Sequence, residues 1–375
     1  MQLRVERKVV RRKVKLNLIT DPAQSAQRAG LHYVCDDSVG VRRKRSGRGF
    51  SYIHADGTRI RDRAELDRIK ALAIPPAWEN VWICPSPTGH IQATGYDAKG
   101  RKQYRYHLDW RKVRDQTKFN RIITFGLALP QIREATDNDL KRQGMPREKI
   151  LATVVRLLET TRIRIGNAEY AEQNRSFGLT TMRTRHVTVV SNSKVKFKFR
   201  GKSGVEHDIE LSDRRLTRII QRCQELPGYE LFQYLDEDGK RCAIDSSDVN
   251  DYLGDITGED FTAKDFRTWA GTVEAALALE DMGEATSKTA ATRNVSQAIK
   301  IVASKLGNRP ATCRKYYVHP TIIDAYTEGW LLPTLARRHQ WNTDQTSPHD
   351  LLPEERAVLA VLEEQLVRDK QKNTP

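Results

Sequence analysis

Apolar positions change their spacing partway along the chain, and that change predicts an α+β protein built in two main parts. Between Gly30 and about Lys112, short apolar stretches alternate with turn signals. Phe50–His54 precedes Asp56-Gly57, Val81–Cys84 precedes Pro85, His90–Thr94 precedes Gly95, and Gln103–Tyr106 follows Gly100. Runs of that length with Asp-Gly and Pro/Gly punctuation read as strands joined in hairpins. Among them, Arg63–Leu72 reads as a short helix stopped by Pro75-Pro76.

After Trp110 the period becomes helical. Pro146 stands at a helix start, and Ile150, Leu151, Val154, Leu157, Leu158 and Thr161 follow at helical spacing. Asn294 predicts the N-cap of another helix, with Val295, Ala298, Ile299, Val302, Ala303 and Leu306 on one face and Gly307 as its stop. One small β element interrupts this half. Val195, Phe197 and Phe199 alternate with Lys194, Lys196 and Lys198, and Gly201–Gly204 turns the chain into Val205–Ile209, leaving Lys202 at a hairpin tip. The expected organisation is a basic extension (1–29), a β-rich domain (30–112), a mainly α domain (113–334) and a tail (335–375) ending in one amphipathic helix.

Composition narrows the class of partner. The 375 residues hold 64 Lys and Arg against 48 Asp and Glu, a net charge of +16, which favours a polyanion because each neutralised phosphate releases counterions. No apolar run is long enough to span a membrane, and Met1–Lys15 lacks the apolar core of a secretory signal, so a cytoplasmic, nucleoid-associated location is expected. Five scattered cysteines without a CxxC pair indicate neither a zinc ribbon nor a disulfide framework. Gly95–Gly100 followed by Arg101-Lys102 echoes a phosphate loop, but it lies in a hairpin and no Ser or Thr follows. Asp236, Glu237 and Asp238 precede Gly239 and read as a turn rather than a metal site.

The residues able to carry chemistry lie in four strings: Ile163–Gly166, the hairpin with Lys202, Lys264–Thr272 and Gly307–Pro320. In order they supply Arg164, Lys202, Arg267, Asn308 and Tyr317. Transesterification at a phosphodiester needs such types. A phenol oxygen can attack phosphorus, guanidinium groups match the charge on the non-bridging oxygens, and an ammonium can return a proton to the leaving oxygen. With so many cations and 12 tyrosines, residue type alone does not single out one set, and Tyr316 is a rival nucleophile beside Tyr317.

The wording around these residues is more specific. Gly40–Arg43, Lys264–Thr272 and Pro310–Pro320 resemble the bacterial, poxvirus-like type IB DNA topoisomerases, over roughly residues 30–330. The resemblance implies a two-lobed clamp around double-stranded DNA, acting as a monomer without metal, ATP or other cofactor. It implies that Tyr317 forms a 3′-phosphotyrosyl bond, that Arg164 and Arg267 clamp the scissile phosphate, that Lys202 is the general acid, and that Lys264 assists. Many relatives carry His where Asn308 stands; an amide can donate a hydrogen bond there but carries no charge. Gln103, Tyr104 and Tyr106 match positions that touch DNA. Both tyrosines belong to one face of a strand, which is also the pattern of ordinary sheet packing. Tyrosine recombinases share this chemistry, but Lys264 stands where their second arginine is preceded by His. A DNA-binding homologue without catalysis is the remaining alternative.

Overall fold

The structure is a computed structural model that describes residues 22–47, 49–98, 100–236, 238–337 and 347–372. The basic run Arg11–Lys15 and Glu237 lie outside those residues. The chain divides into two compact units, Met1–Arg121 and Ile122–Pro375.

The first unit is built on a five-stranded antiparallel sheet. Its strands are β1 (Val41–Ser46), β2 (Gly49–Ile53), β3 (Glu79–Ile83), β4 (Ile91–Tyr96) and β5 (Lys102–Tyr106), in the order β2-β1-β3-β4-β5. The four strands read from apolar runs all form. β1 was not expected, because Val-Arg-Arg-Lys-Arg-Ser has only Val41 to bury. Tertiary pairing overrides its composition. Arg43 stacks over Phe50 at 4.1 Å and donates to the carbonyls of Pro75 and Trp78, so its charge is satisfied beside the sheet. Helices α1 (Pro22–Arg28) and α2 (Arg63–Ala71) accompany the sheet. Asp62 caps α2 by accepting from the Glu65 N–H, and Ile69 joins Val41, Ile60, Val81, Ile83 and Ala93 in the core. Arg68 donates to the Cys84 carbonyl at 3.0 Å and fixes α2 to the end of β3.

The chain enters the second unit within α3 (Leu108–Leu140), one helix of 33 residues with Pro130 inside it. Then follow α4 (Arg147–Thr161), α5 (Ala168–Asn174), α6 (Arg214–Glu225), α7 (Ser246–Thr257), α8 (Ala263–Met282), α9 (Lys288–Leu306), α10 (Pro310–Tyr316), α11 (Pro320–Thr327), α12 (Leu331–Ala336) and α13 (Pro353–Lys372). Strands β6 (Val187–Ser191), β7 (Lys194–Arg200) and β8 (Glu206–Ser212) form a small antiparallel sheet, and β9 (Gln233–Leu235) pairs with β10 (Arg241–Ala243). The expected hairpin is β7–β8; β6 adds a third strand. Asp236 holds the β9–β10 turn by accepting from the Asp238 and Lys240 N–H groups.

Helix α8 is the centre of this unit. Thr262 and Asp265 form a capping box at its start, and Phe266, Arg267, Thr268, Trp269, Gly271 and Thr272 are buried on all sides of it. The start expected for α9 is corrected. The cap is Ser287, whose side chain accepts from the Ala290 N–H, and Asn294 lies inside the helix with its amide donating to the Tyr326 hydroxyl. Gly307 ends α9 at φ 59°, as expected of a left-handed stop. All five cysteines are free.

Candidate active site

The C-termini of two helices meet beside α8, and their last carbonyl groups determine what can sit there. The final turn of any helix leaves carbonyl oxygens without intrahelical partners and a partial negative charge. Here α4 ends at Arg162, a left-handed cap at φ 60°, and α9 ends at Leu306. The Arg267 side chain reaches from α8 into this space. Its Nη2 donates to the Leu306 carbonyl at 2.7 Å and its Nη1 donates to the Arg162 carbonyl. A cation buried to 4% exposure is therefore held by helix ends instead of by a carboxylate. Burial pushes its pKa down to about 10, nearby Arg164 adds to the depression, and Tyr317 opposes it.

Arg164 follows α4 in an irregular segment rather than lying on a helix. Backbone bonds pin it: the Leu179 N–H donates to its carbonyl at 2.9 Å, and the Thr180 N–H to that of Ile165 at 2.7 Å. Gly178 is needed for that approach, since a Cβ there would lie 2.5 Å from the Arg164 carbonyl oxygen. The Arg164 guanidinium donates to Asn308 Oδ1. This leaves the buried Asn308 Nδ2 without a partner among the described residues. Beneath them lies Cys313, whose thiol is pushed up by burial, with Asn308, Arg267 and Arg164 pulling the other way.

Pro310 starts α10, and Tyr317 caps its end, donating its N–H to the Cys313 carbonyl at 2.9 Å. The Tyr317 ring lies 5.3 Å from the Arg267 guanidinium carbon. Gly271, one turn along α8, makes room for it: a Cβ would lie 2.5 Å from the Tyr317 carbonyl oxygen. Tyr316 faces elsewhere. It is 36% exposed, with Lys264 and Lys315 at 5.9 and 5.2 Å from its ring centre. The fold thus brings Arg164, Arg267, Asn308 and Tyr317 into one group, and leaves Tyr316 with exposed Lys264 at its margin.

Lys202 is exposed in the turn between β7 and β8, where Ser203 and Gly204 adopt positive φ. The turn end of the hairpin adjoins the group through His207. Its ring stacks on Phe199 at 4.9 Å and sits where Cβ atoms of Gly201 and Gly307 would each come within 2.6 Å. Burial lowers the His207 pKa, and Arg164 and Arg267 lower it further against the pull of Glu206. Neither His207 nor Gly271 was legible as a site residue; only a glycine inside the Lys264–Thr272 string hinted at a close approach.

In the first unit, Tyr104 and Tyr106 do share a face of β5, their rings stacked at 5.7 Å and 8°. Tyr104 is 41% exposed, whereas Tyr106 packs against the Ala26, Leu31 and Trp110 cluster. The Gln103 amide donates to Asp97 at 3.0 Å.

A group of two guanidinium ions without a carboxylate partner among the described residues, an amide and a tyrosine is suited to a phosphodiester. Comparison with known proteins agrees. Residues 107–330 match the family described as eukaryotic DNA topoisomerase I, catalytic core, and residues 49–97 match the bacterial DNA topoisomerase IB N-terminal domain. The DNA topoisomerase 1B of Acanthamoeba polyphaga mimivirus is 32% identical over 294 residues, covering 76% of this chain and 87% of that protein. The DNA topoisomerase I of Monkeypox virus and DNA topoisomerase 1B of Vaccinia virus are each 29% identical over 150 residues, covering 38% of this chain and 46% of those proteins. The chain belongs to the type IB DNA topoisomerase family.

Proposed function

We propose that this topoisomerase cuts and rejoins one strand of duplex DNA through Tyr317. In the cleavage step the phenol oxygen bonds to phosphorus and the bond from phosphorus to the 5′ oxygen breaks. Tyr317 gives its proton to solvent water, and the leaving 5′ oxygen takes one from Lys202, giving a 3′-phosphotyrosyl link and a 5′ hydroxyl. Arg164, Arg267 and the Nδ2 of Asn308 hold the non-bridging oxygens as charge develops on them. Reversal of the step reseals the strand. The phosphodiester's bond energy is kept in the covalent link, so no ATP is needed; the two guanidinium ions meet the charge that a metal would otherwise stabilise, and torsion in the DNA drives relaxation. Gln103, Tyr104, Tyr106 and Lys264 would contact the duplex, gripped in a monomer by a clamp of two lobes in the cytoplasm.

The observation that carries this reading is the Arg267 guanidinium, buried, held by two main-chain carbonyls and by the Tyr317 side chain, with no carboxylate partner among the described residues. An incoming phosphate supplies the missing countercharge. The packing of Tyr317 against Arg267, with Tyr316 turned toward Lys264 and Lys315, favours Tyr317 as the nucleophile. Plasmid relaxation in EDTA without ATP tests the reaction: both supercoil signs should relax. Tyr317→Phe should remove relaxation and covalent linkage while DNA binding stays near normal. Persistent relaxation by that variant would move the nucleophile elsewhere.

A further inference from the structure

Arg267 is held by two carbonyls that belong to different helices, and something must keep those two helix ends in register. The side chains at these two helix ends point to the answer. Arg162, whose carbonyl receives Nη1 of Arg267, turns its guanidinium to Glu274. Lys305, the neighbour of Leu306, places its Nζ 2.5 Å from the other oxygen of the same carboxylate. Glu274 lies on α8 itself, two helical turns beyond Arg267, and is 9% exposed. One carboxylate thereby ties the C-terminus of α4 and the C-terminus of α9 to the helix that carries Arg267.

The charge balance has the same logic. Three cations, Arg162, Lys305 and Arg267, gather at two helix ends. Glu274 pairs with the first two, offsetting one of their two positive charges, and leaves the third for a ligand. Without it, Arg162 and Lys305 would repel one another and Arg267, and the two carbonyls would lose their common tether. A shift of about 1 Å in a group that stabilises a transition state can cost about 10²-fold in rate.

We propose that Glu274 is a positioning residue for the cleavage step: it sets the two carbonyls that aim Arg267 at the scissile phosphate, without touching DNA. This rests on the reading of Arg267 given above. The test is a double-mutant cycle on single-turnover formation of the covalent complex, at saturating DNA, using Glu274→Gln, Arg267→Ala and the pair. Arg267→Ala alone should slow cleavage strongly. Glu274→Gln should slow it by about tenfold with DNA affinity unchanged, and should have little further effect when Arg267 is already Ala. Equal slowing by Glu274→Gln in both backgrounds, or none in either, overturns the positioning role while leaving the Arg267 reading intact. Normal cleavage by Arg267→Ala overturns both. Should Glu274→Gln fail to fold, Lys305→Met, at a half-exposed side chain, replaces it in the cycle; severalfold slowing confined to the Arg267 background is expected, and additive slowing or no slowing overturns the role.

Discussion

Two arginines buried in the same unit are held in opposite ways, and the contrast separates what builds this protein from what it works with. Arg133 on α3 is surrounded by carboxylates. It donates to Glu159 at 2.6 Å and to both oxygens of Glu355 at 2.8 and 2.9 Å, and also reaches the Asp350 carbonyl. Despite burial its pKa is raised, because Glu159 and Glu355 outweigh desolvation. Glu355 further accepts from the Trp269 indole on α8 and caps the Leu352 N–H, so this ion cluster fastens α13 to the core. Arg267 sits on that same α8 with no carboxylate among its partners in the described residues, and burial pushes its pKa down to about 10. The first charge is complete within the fold. The second is left open.

That contrast predicts a crossed pattern of damage. Removing Arg267 as Arg267→Ala should cost about 10²–10³ in cleavage rate, the usual loss for one preorganised donor. Its effect on folding should be the smaller one, because two freed carbonyls are offset by release of a desolvated cation. Glu355→Ala leaves Arg133 buried and partly unpaired, which should cost about 3–5 kcal/mol of stability. Cleavage per folded molecule should hold. Denaturant unfolding and single-turnover cleavage on both variants measure the cross. Comparable destabilisation by both, or comparable slowing by both, would dissolve the distinction.

The two regions also differed in how far the sequence revealed them. The strings holding Arg164, Arg267, Asn308 and Tyr317 stood out, because a close-packed reaction centre constrains neighbouring residues as well as the reacting ones. What surrounds them did not. The left-handed cap at Arg162, which ends α4 just before Arg164, has no signal in the apolar spacing. Glu274 and Lys305 look like ordinary surface charges, since sequence spacing does not show that two helix ends converge. Arg133 and Glu355 are separated by most of the second unit, and the stretch carrying Glu355 read as a tail. Strands β2 to β5 and helices α4 and α13 were legible because alternation and helical spacing are local. Charged β1 and the first two turns of α9 were not, since pairing across a sheet and a serine cap outweighed the apolar pattern.

Acid stability should bear the mark of buried cations on a smaller scale. His186 packs against Phe177 at 4.4 Å, and burial, aided by Arg185 and Arg183, lowers its pKa to about 4. The unfolded chain takes up a proton near its ordinary 6.5 while the folded chain does not. Stability is then fully present above about pH 6.5 and falls as pH drops toward 4, by at most about 3 kcal/mol. His186→Asn should flatten that part of the stability profile in urea unfolding between pH 7 and pH 4. An unchanged slope would mean that another group titrates there.

The smallest expected effect probes the open charge directly. His207 stands beside Arg164 and Arg267, and after burial those two guanidinium ions are what keep its imidazole neutral to lower pH. If the Arg267 charge is uncompensated, its removal must make protonation of His207 easier. The ring resonances of His207 should therefore titrate at higher pH in Arg267→Ala than in the unaltered protein, while those of His186, held down by burial and by Arg185 and Arg183, stay where they are. A short duplex containing a phosphate at the cleavage position should move His207 the same way, because the phosphate's negative charge offsets part of the arginines' charge without removing either side chain. If neither change moves His207, Arg267 is already neutralised within the protein, and its difference from Arg133 is one of geometry alone.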